Sequence, residues 1–427
     1  MQHFAYMCPG LDGGGHVCDV YPQFFDDFYG AESRVVIPVF QRVYVWAGRL
    51  IDDWFRDAAG YGASAYGADP NVGHRVGKAM FRRVGPELLC IDGQQRCTTA
   101  LLLMAAVAAR LRHHGAPARG TAAEQQELGP EAETLDYLDG LMFSDLDAMR
   151  AWVREASESV RTRGANAADL FPPGLQLPFV RLLPSFRDRA PFFYALLRDR
   201  VVRAAGGVPL EAAAPLRAAL QVAALDRFEE LASRLDGRAL RDLASRCAAH
   251  MSLMRVDFVA PDLHLPQLFL WMQEKSLFSM GALLFNPTPG VRFRGCDMVR
   301  NWVMAHFLDE PGGSAGLESL YRRVWLDRIE SPLVDSDRLD AALLAYVRHQ
   351  VAASTAVSHT ARHIGQFETM AAQGFQMMRI ANPAADEYRG VHVYGEFQSY
   401  MEQREVRDRT GVLAVLEELA VFVRSMA

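Results

Sequence analysis

Long apolar runs are missing from this 427-residue sequence. None approaches the ~20 residues that cross a bilayer as a helix, so the chain is not expected to span a membrane. The N-terminus lacks a basic stretch followed by an apolar one, and no signal peptide is expected. Cysteine is sparse and scattered: Cys8, Cys18, Cys90, Cys97, Cys247 and Cys296 form no C-x-x-C pair. A disulfide framework is not indicated, and a reduced, cytoplasmic setting is the simple reading. Cys8, His16 and Cys18 lack a fourth zinc ligand at normal spacing. A basic excess is also absent. The net charge of −6 argues against a generally basic nucleic-acid coat, but leaves room for a local basic groove. Internal repeats and low-complexity tails are not found. The remainder has an ordinary globular balance, half hydrophobic and 22% charged, and its length suits two or three domains.

Between two apolar segments the chain holds a compact polar turn. Leu88-Leu89-Cys90-Ile91 reads as a short strand, and the run from Thr98 through Leu111-Arg112-His113-His114 as an amphipathic helix closed by Gly115. Asp92-Gly93-Gln94-Gln95-Arg96 lies between them. A strand feeding a helix through a glycine turn gathers free amides at the positive end of the helix dipole. Arg96 adds a fixed cationic fork, so phosphate suits the place. The same residues also suit a purely structural turn, with Asp92 capping and Arg96 pairing with an acid.

Upstream, Val35–Val45 alternate and are rich in β-branched residues, which predicts a strand. Alternation puts Pro38, Phe40, Arg42, Tyr44 and Trp46 on one face and Gln41 on the other. A helix is expected over 50–59, a loop over 60–77, and a hairpin of 79–84 with 87–91 about Gly85-Pro86. Residues 115–134 read as a linker or exposed insertion. Beyond it the pattern is mostly helical: 133–157, 191–204, 210–249, 266–284, 298–309, 316–328, 336–355, 361–378 and 412–426. The expected fold is α+β and mostly α: a small mixed N-terminal domain over 1–118, then a helical domain over 119–427.

Asp92-Gly93-Gln94-Gln95-Arg96 with Thr98-Thr99 resembles the signature of the GmrSD-type restriction endonuclease N-terminal domain family, in the ParB/sulfiredoxin-like group. Ile37-Pro38-Val39-Phe40-Gln41-Arg42-Val43-Tyr44-Val45-Trp46, followed by Leu50-Ile51-Asp52-Asp53, resembles the family's other motif, P-x-F-Q-R-x-Y-x-W before a helix. Cys97 stands where the family usually has leucine. Looser likenesses follow at Arg181–Arg189, at Asn286-Pro287-Thr288-Pro289-Gly290 and at Asp297–Asn301.

The resemblance implies binding and hydrolysis of a nucleoside triphosphate, GTP being the expected nucleotide, with Mg²⁺ or another divalent cation. Asp92, Gln94, Gln95 and Arg96 are the candidate catalytic residues. Arg96 and the amides of Cys97, Thr98 and Thr99 would hold phosphate; Gln94 or Gln95 would orient water; Asp92 would meet the metal. Gln41, Arg42, Tyr44, Trp46, Gly93, Thr98 and Thr99 are candidate nucleotide contacts. Pro38 and Phe40 are candidates for sensing modified DNA, such as a sulfur-substituted backbone. The implied partners are DNA, modified DNA above all, and an HNH-type nuclease domain or subunit. No histidine pattern after residue 350 resembles that nuclease, so it is expected on a separate polypeptide or in a further portion of the protein. Self-association is left open. The alternative is a module that binds modified DNA without turnover.

Lesser features have bland readings. Asp52-Asp53 suit a helix start. His113-His114 suit a helix end. Gly73–Ala79 misses the P-loop spacing.

Overall fold

The computed structural model describes residues 18–32, 34–60, 74–114, 129–259, 295–308, 313–333, 336–353, 389–406 and 408–426. The helices expected over 266–284 and 361–378, the Asn286–Gly290 segment, Cys8 and His16 lie outside them. The molecule is α+β and mostly helical, with one mixed sheet near the N-terminus. Two compact units are formed, one within Met1–Pro38 and Val43–Asp262, the other within Val39–Arg42 and Leu263–Ala427.

In the first unit, the strands are β1 (Cys18–Phe24), β2 (Val35–Val36), β3 (His74–Val84), β4 (Glu87–Asp92), β5 (Leu182–Leu183) and β6 (Met251–Phe258), ordered β1-β6-β3-β4-β2-β5. The hairpin about Gly85-Pro86 forms as the sequence suggests, with Val84 opposite Glu87 and Gly85 at φ 58°. A two-residue turn needs that positive φ, which glycine adopts without penalty. The long-range pairs were not legible. β6 lies parallel to β3 and antiparallel to β1, so the sheet takes in residues far beyond 118.

The helix Gln94–His114 differs from the amphipathic expectation. Residues from Cys97 through Ala109, and Leu111, are all buried. Its composition explains this, since Ala100 to Ala109 is apolar on every side, and a helix apolar all round must be enclosed. The helices Gly129–Met142, Arg189–Ala204, Leu220–Ala232 and Gly237–Ala249 pack around it. The expected helix over 133–157 is two helices, Gly129–Met142 and Leu146–Arg163. Asp145 caps the second through the Ala148 amide, which starts a new helix there.

The predicted strand over 35–45 shortens to Val35–Val36. Pro38 has no amide to offer a ladder. Beyond it, the backbone is satisfied by side chains: the Tyr44 amide donates to Asp188 and the Val45 amide to Gln95. The alternation that placed five residues on one face therefore does not apply.

In the second unit, helices Gly295–Ala305, Ser336–Ala353, Arg389–Gln403 and Arg409–Met426 enclose Trp325, Tyr346 and Phe397. Arg300 is buried, paired with Asp297 at 2.8 Å, and donates to the Phe40 carbonyl at 2.7 Å. Asp297 thus serves an ion pair within its own helix.

Candidate functional site

Gly93 turns β4 into the helix. It adopts φ 99°, and a Cβ there would lie 2.6 Å from the Ala79 Cβ and 2.8 Å from its Cα. Only glycine allows β4 to pass so close to β3 while the chain changes direction. The Gly93 carbonyl accepts the amides of Arg96 (3.0 Å) and Cys97 (3.1 Å). The helix ladder therefore uses amides from Arg96 onward. This corrects the expectation that Cys97, Thr98 and Thr99 offer amides to an anion; the amides outside the helix ladder are those before Arg96.

Arg96 is half-buried and lies along β3. Its Nε donates to the Val76 carbonyl and its Nη1 to the Lys78 carbonyl, both at 3.0 Å. These carbonyls flank a bulge, where Arg75 pairs with Ser252 but the next partner, Met254, faces Lys78. A bulge re-aims backbone groups that a regular ladder would consume. Gly77 within it has φ 119°, and a Cβ there would sit 2.6 Å from Arg96 Nε. Two neutral carbonyls orient the guanidinium without cancelling its charge. Among the described residues, no acid pairs with Arg96. Asp92, at the end of β4, is exposed, and its carboxylate has no partner among the described residues.

Gln95 is 6% exposed and occupied at both ends. Its Oε1 accepts the Val45 amide at 2.9 Å, and its Nε2 donates to the Val43 carbonyl at 3.3 Å. The amide clamps the upstream motif as a strand partner would. A water-orienting role for Gln95 gives way to this positioning role. Gln95→Ala is expected to cost about 1–3 kcal/mol in a urea titration, because two part-buried backbone groups lose their partner. A change within error would show that water replaces the clamp.

Thr99 is wholly buried and donates to the Gln95 carbonyl at 2.8 Å. Its single proton is used there, so the Tyr44 hydroxyl, 2.7 Å away, is the donor to Thr99. Tyr44 is 3% exposed and supports the turn from inside, which removes it as a surface for a base. Trp46 is half-buried, its ring centroid 5.5 Å from that of Trp54. Gln94 and Thr98 are buried, Gln41 is half-buried and Arg42 exposed. Pro38 is buried and Phe40 wholly so, so neither presents the apolar edge expected to read modified DNA. Asp52 lies in the first turn of its helix and is clasped by Arg227 at 2.7 and 3.2 Å, and Asp53 pairs with Arg56 at 2.7 Å.

The structure adds one residue to which the sequence assigned no role. Asp188 takes the Tyr44 amide at 2.9 Å, the Ser185 hydroxyl at 3.2 Å and the Gln221 side chain. Burial pushes its carboxyl up to about 6. The only signal was its place in the Arg181–Arg189 segment. A raised carboxyl pKa means that the folded state holds its proton longer than the unfolded chain does. Asp188 therefore favours folding most below pH ~4, and that contribution falls as pH rises to about 6. In urea titrations between pH 4 and 7, wild type is expected to lose up to about 3 kcal/mol relative to Asp188→Asn. Parallel pH profiles would contradict it.

Residues 25–170 match the family model of the GmrSD restriction endonuclease N-terminal domain. The match takes in the Tyr44 segment, the turn at Gly93 and the buried helix after it, and this part of the chain is similar to that family. It stops short of Asp188 and of β5 and β6. No curated protein matches the chain. Among the described residues, no helix is long and apolar enough to cross a membrane.

Proposed function

We propose that the turn at Asp92–Arg96 binds a nucleoside triphosphate by its phosphates and hydrolyses it, as part of a restriction system acting on DNA with a nuclease domain or subunit. The chief support is Arg96, a guanidinium aimed by two carbonyls, with no described acid to cancel it, beside the first amides of a helix. Arg96 and those amides hold phosphate oxygens, and Gln94 remains the amide that orients water. Mg²⁺ fits this setting. Among the described residues no three acids, histidines or cysteines converge, and Mg²⁺ commonly takes one or two carboxylates with the substrate's phosphates. Asp92, exposed and unpaired among the described residues, would hold it, and the ion would neutralise phosphate charge.

The test is phosphate release from each of the four ribonucleoside triphosphates with Mg²⁺, alone and with plain or modified DNA. GTP is the nucleotide expected to turn over. Release from none of them would overturn the hydrolase reading. The engagement of both ends of Gln95 favours a second reading, a module that binds without turnover. Heat of binding in a calorimetric titration, with no phosphate released, would support that one.

A further inference from the structure

The first unit holds a second cationic place, well apart in sequence from the turn. On the helix Leu146–Arg163, residues Arg150, Arg154, Ser157 and Arg161 follow i, i+4, i+7 and i+11 spacing, which keeps them on one stripe. The stripe borders a cavity of 270 Å³ shared with the helix Arg189–Ala204, whose Arg200 closes the far side. Met149 and Val153 form an apolar floor, and no acid lines the cavity among the described residues.

The arginines are available to differing degrees. Arg154 is exposed, and its guanidinium pairs with no described residue. Arg150 and Arg161 are engaged only by Asp147, Asp136 and Glu158, in exposed pairs that contribute little and exchange readily. Arg200 is held by Asp139, which also pairs with Arg112. Its Nε is buried and has no hydrogen-bond partner among the described residues.

We propose that this groove is a contact for the phosphate backbone of DNA. Guanidinium forks match phosphate oxygens, and the apolar floor suits the sugars between them. The stripe covers about 16 Å of helix, enough to meet more than one phosphate of a duplex, whose strands each carry one per ~3.4 Å of helix axis. The cavity is below the ~300–1,000 Å³ that encloses a small-molecule ligand, which favours a polymer passing along the groove over an engulfed nucleotide. The site does not depend on hydrolysis at the turn.

The test uses the full chain and a fluorescein-labelled 20-base-pair DNA duplex, followed by anisotropy over a salt series. Arg154→Ala with Arg161→Ala is expected to weaken binding at least tenfold at ~0.1 M salt. The slope of log affinity against log salt should fall by roughly one to two units. Both side chains are surface-directed, and an unchanged circular-dichroism melt would confirm the fold. Arg238→Ala, on another exposed surface, is expected to bind as wild type. Equal weakening by Arg238→Ala, or binding by the double variant within twofold of wild type, would overturn the assignment. So would competition by polyglutamate as effective as unlabelled DNA. Protection of the groove by inorganic phosphate, with no duplex bound, would overturn it in favour of a free anion.

Discussion

Arg96→Ala is expected to slow nucleoside triphosphate hydrolysis by on the order of 10²–10³-fold in kcat while leaving the protein folded. The rate estimate follows from what the guanidinium would do. Charge builds on phosphate oxygens as the terminal bond breaks, and a fixed donor at that point is worth that much in other hydrolases. The modest effect on stability follows from the geometry. Arg96 bonds two carbonyls, of Val76 and Lys78, at a half-exposed position, and water can replace it at both. About 1 kcal/mol is the expected cost of unfolding free energy. Arg96→Lys separates charge from shape. A lysine keeps the positive charge but cannot hold both carbonyls and still present a second face to phosphate. It is expected to recover only part of the lost rate. Phosphate release read against a urea titration of each variant decides the matter. Unchanged kcat in Arg96→Ala would remove Arg96 from the chemistry, whereas a lost fold would make it a structural brace.

Gly93→Ala carries the largest expected effect on folding, about 2–6 kcal/mol. Two costs combine. A side chain at φ 99° is strained by about 1–3 kcal/mol. The new Cβ would also meet Ala79 at 2.6 Å and its Cα at 2.8 Å. The second contact is with backbone of β3, which cannot swing aside as a long side chain would, and overpacking of this kind costs a further ~1–3 kcal/mol. The substitution also pushes the first turn of the buried helix away from β3, so nucleotide binding should fail at temperatures where the variant is still folded. Thermal unfolding checks the first expectation and calorimetry the second. A melting point within 2–3 °C of wild type would show that β3 and β4 separate more easily than their close approach implies.

How much of the site was legible depends on how local its causes are. The turn at Asp92–Arg96 could be read because a strand, a glycine and a helix start within a dozen residues leave local marks. The hairpin about Gly85-Pro86 could be read for the same reason. The upstream motif was visible as a pattern but its geometry was not. Val35–Val45 has the composition of a strand, yet Val43, Tyr44 and Val45 are met by side chains from far along the chain, Gln95 and Asp188. That exchange moved Tyr44 from a candidate nucleotide contact to a buried support and Gln95 from chemistry to positioning. Asp188 went unassigned because nothing near it in sequence marks a carboxyl that will be buried against residue 44.

By itself, the sequence determined the α+β class, the turn that Gly93 makes obligatory, and the family likeness over residues 25–170. Each rests on short-range backbone preference or on contiguous motifs. The tertiary structure alone decided that β6 completes the sheet, that the helix after the turn is enclosed on all sides, and that Arg96 faces carbonyls at a bulge instead of an acid. It also set four arginines around one groove. Those outcomes depend on which surfaces meet after the chain has closed its loops, and such closure leaves no periodicity in the residues that it joins.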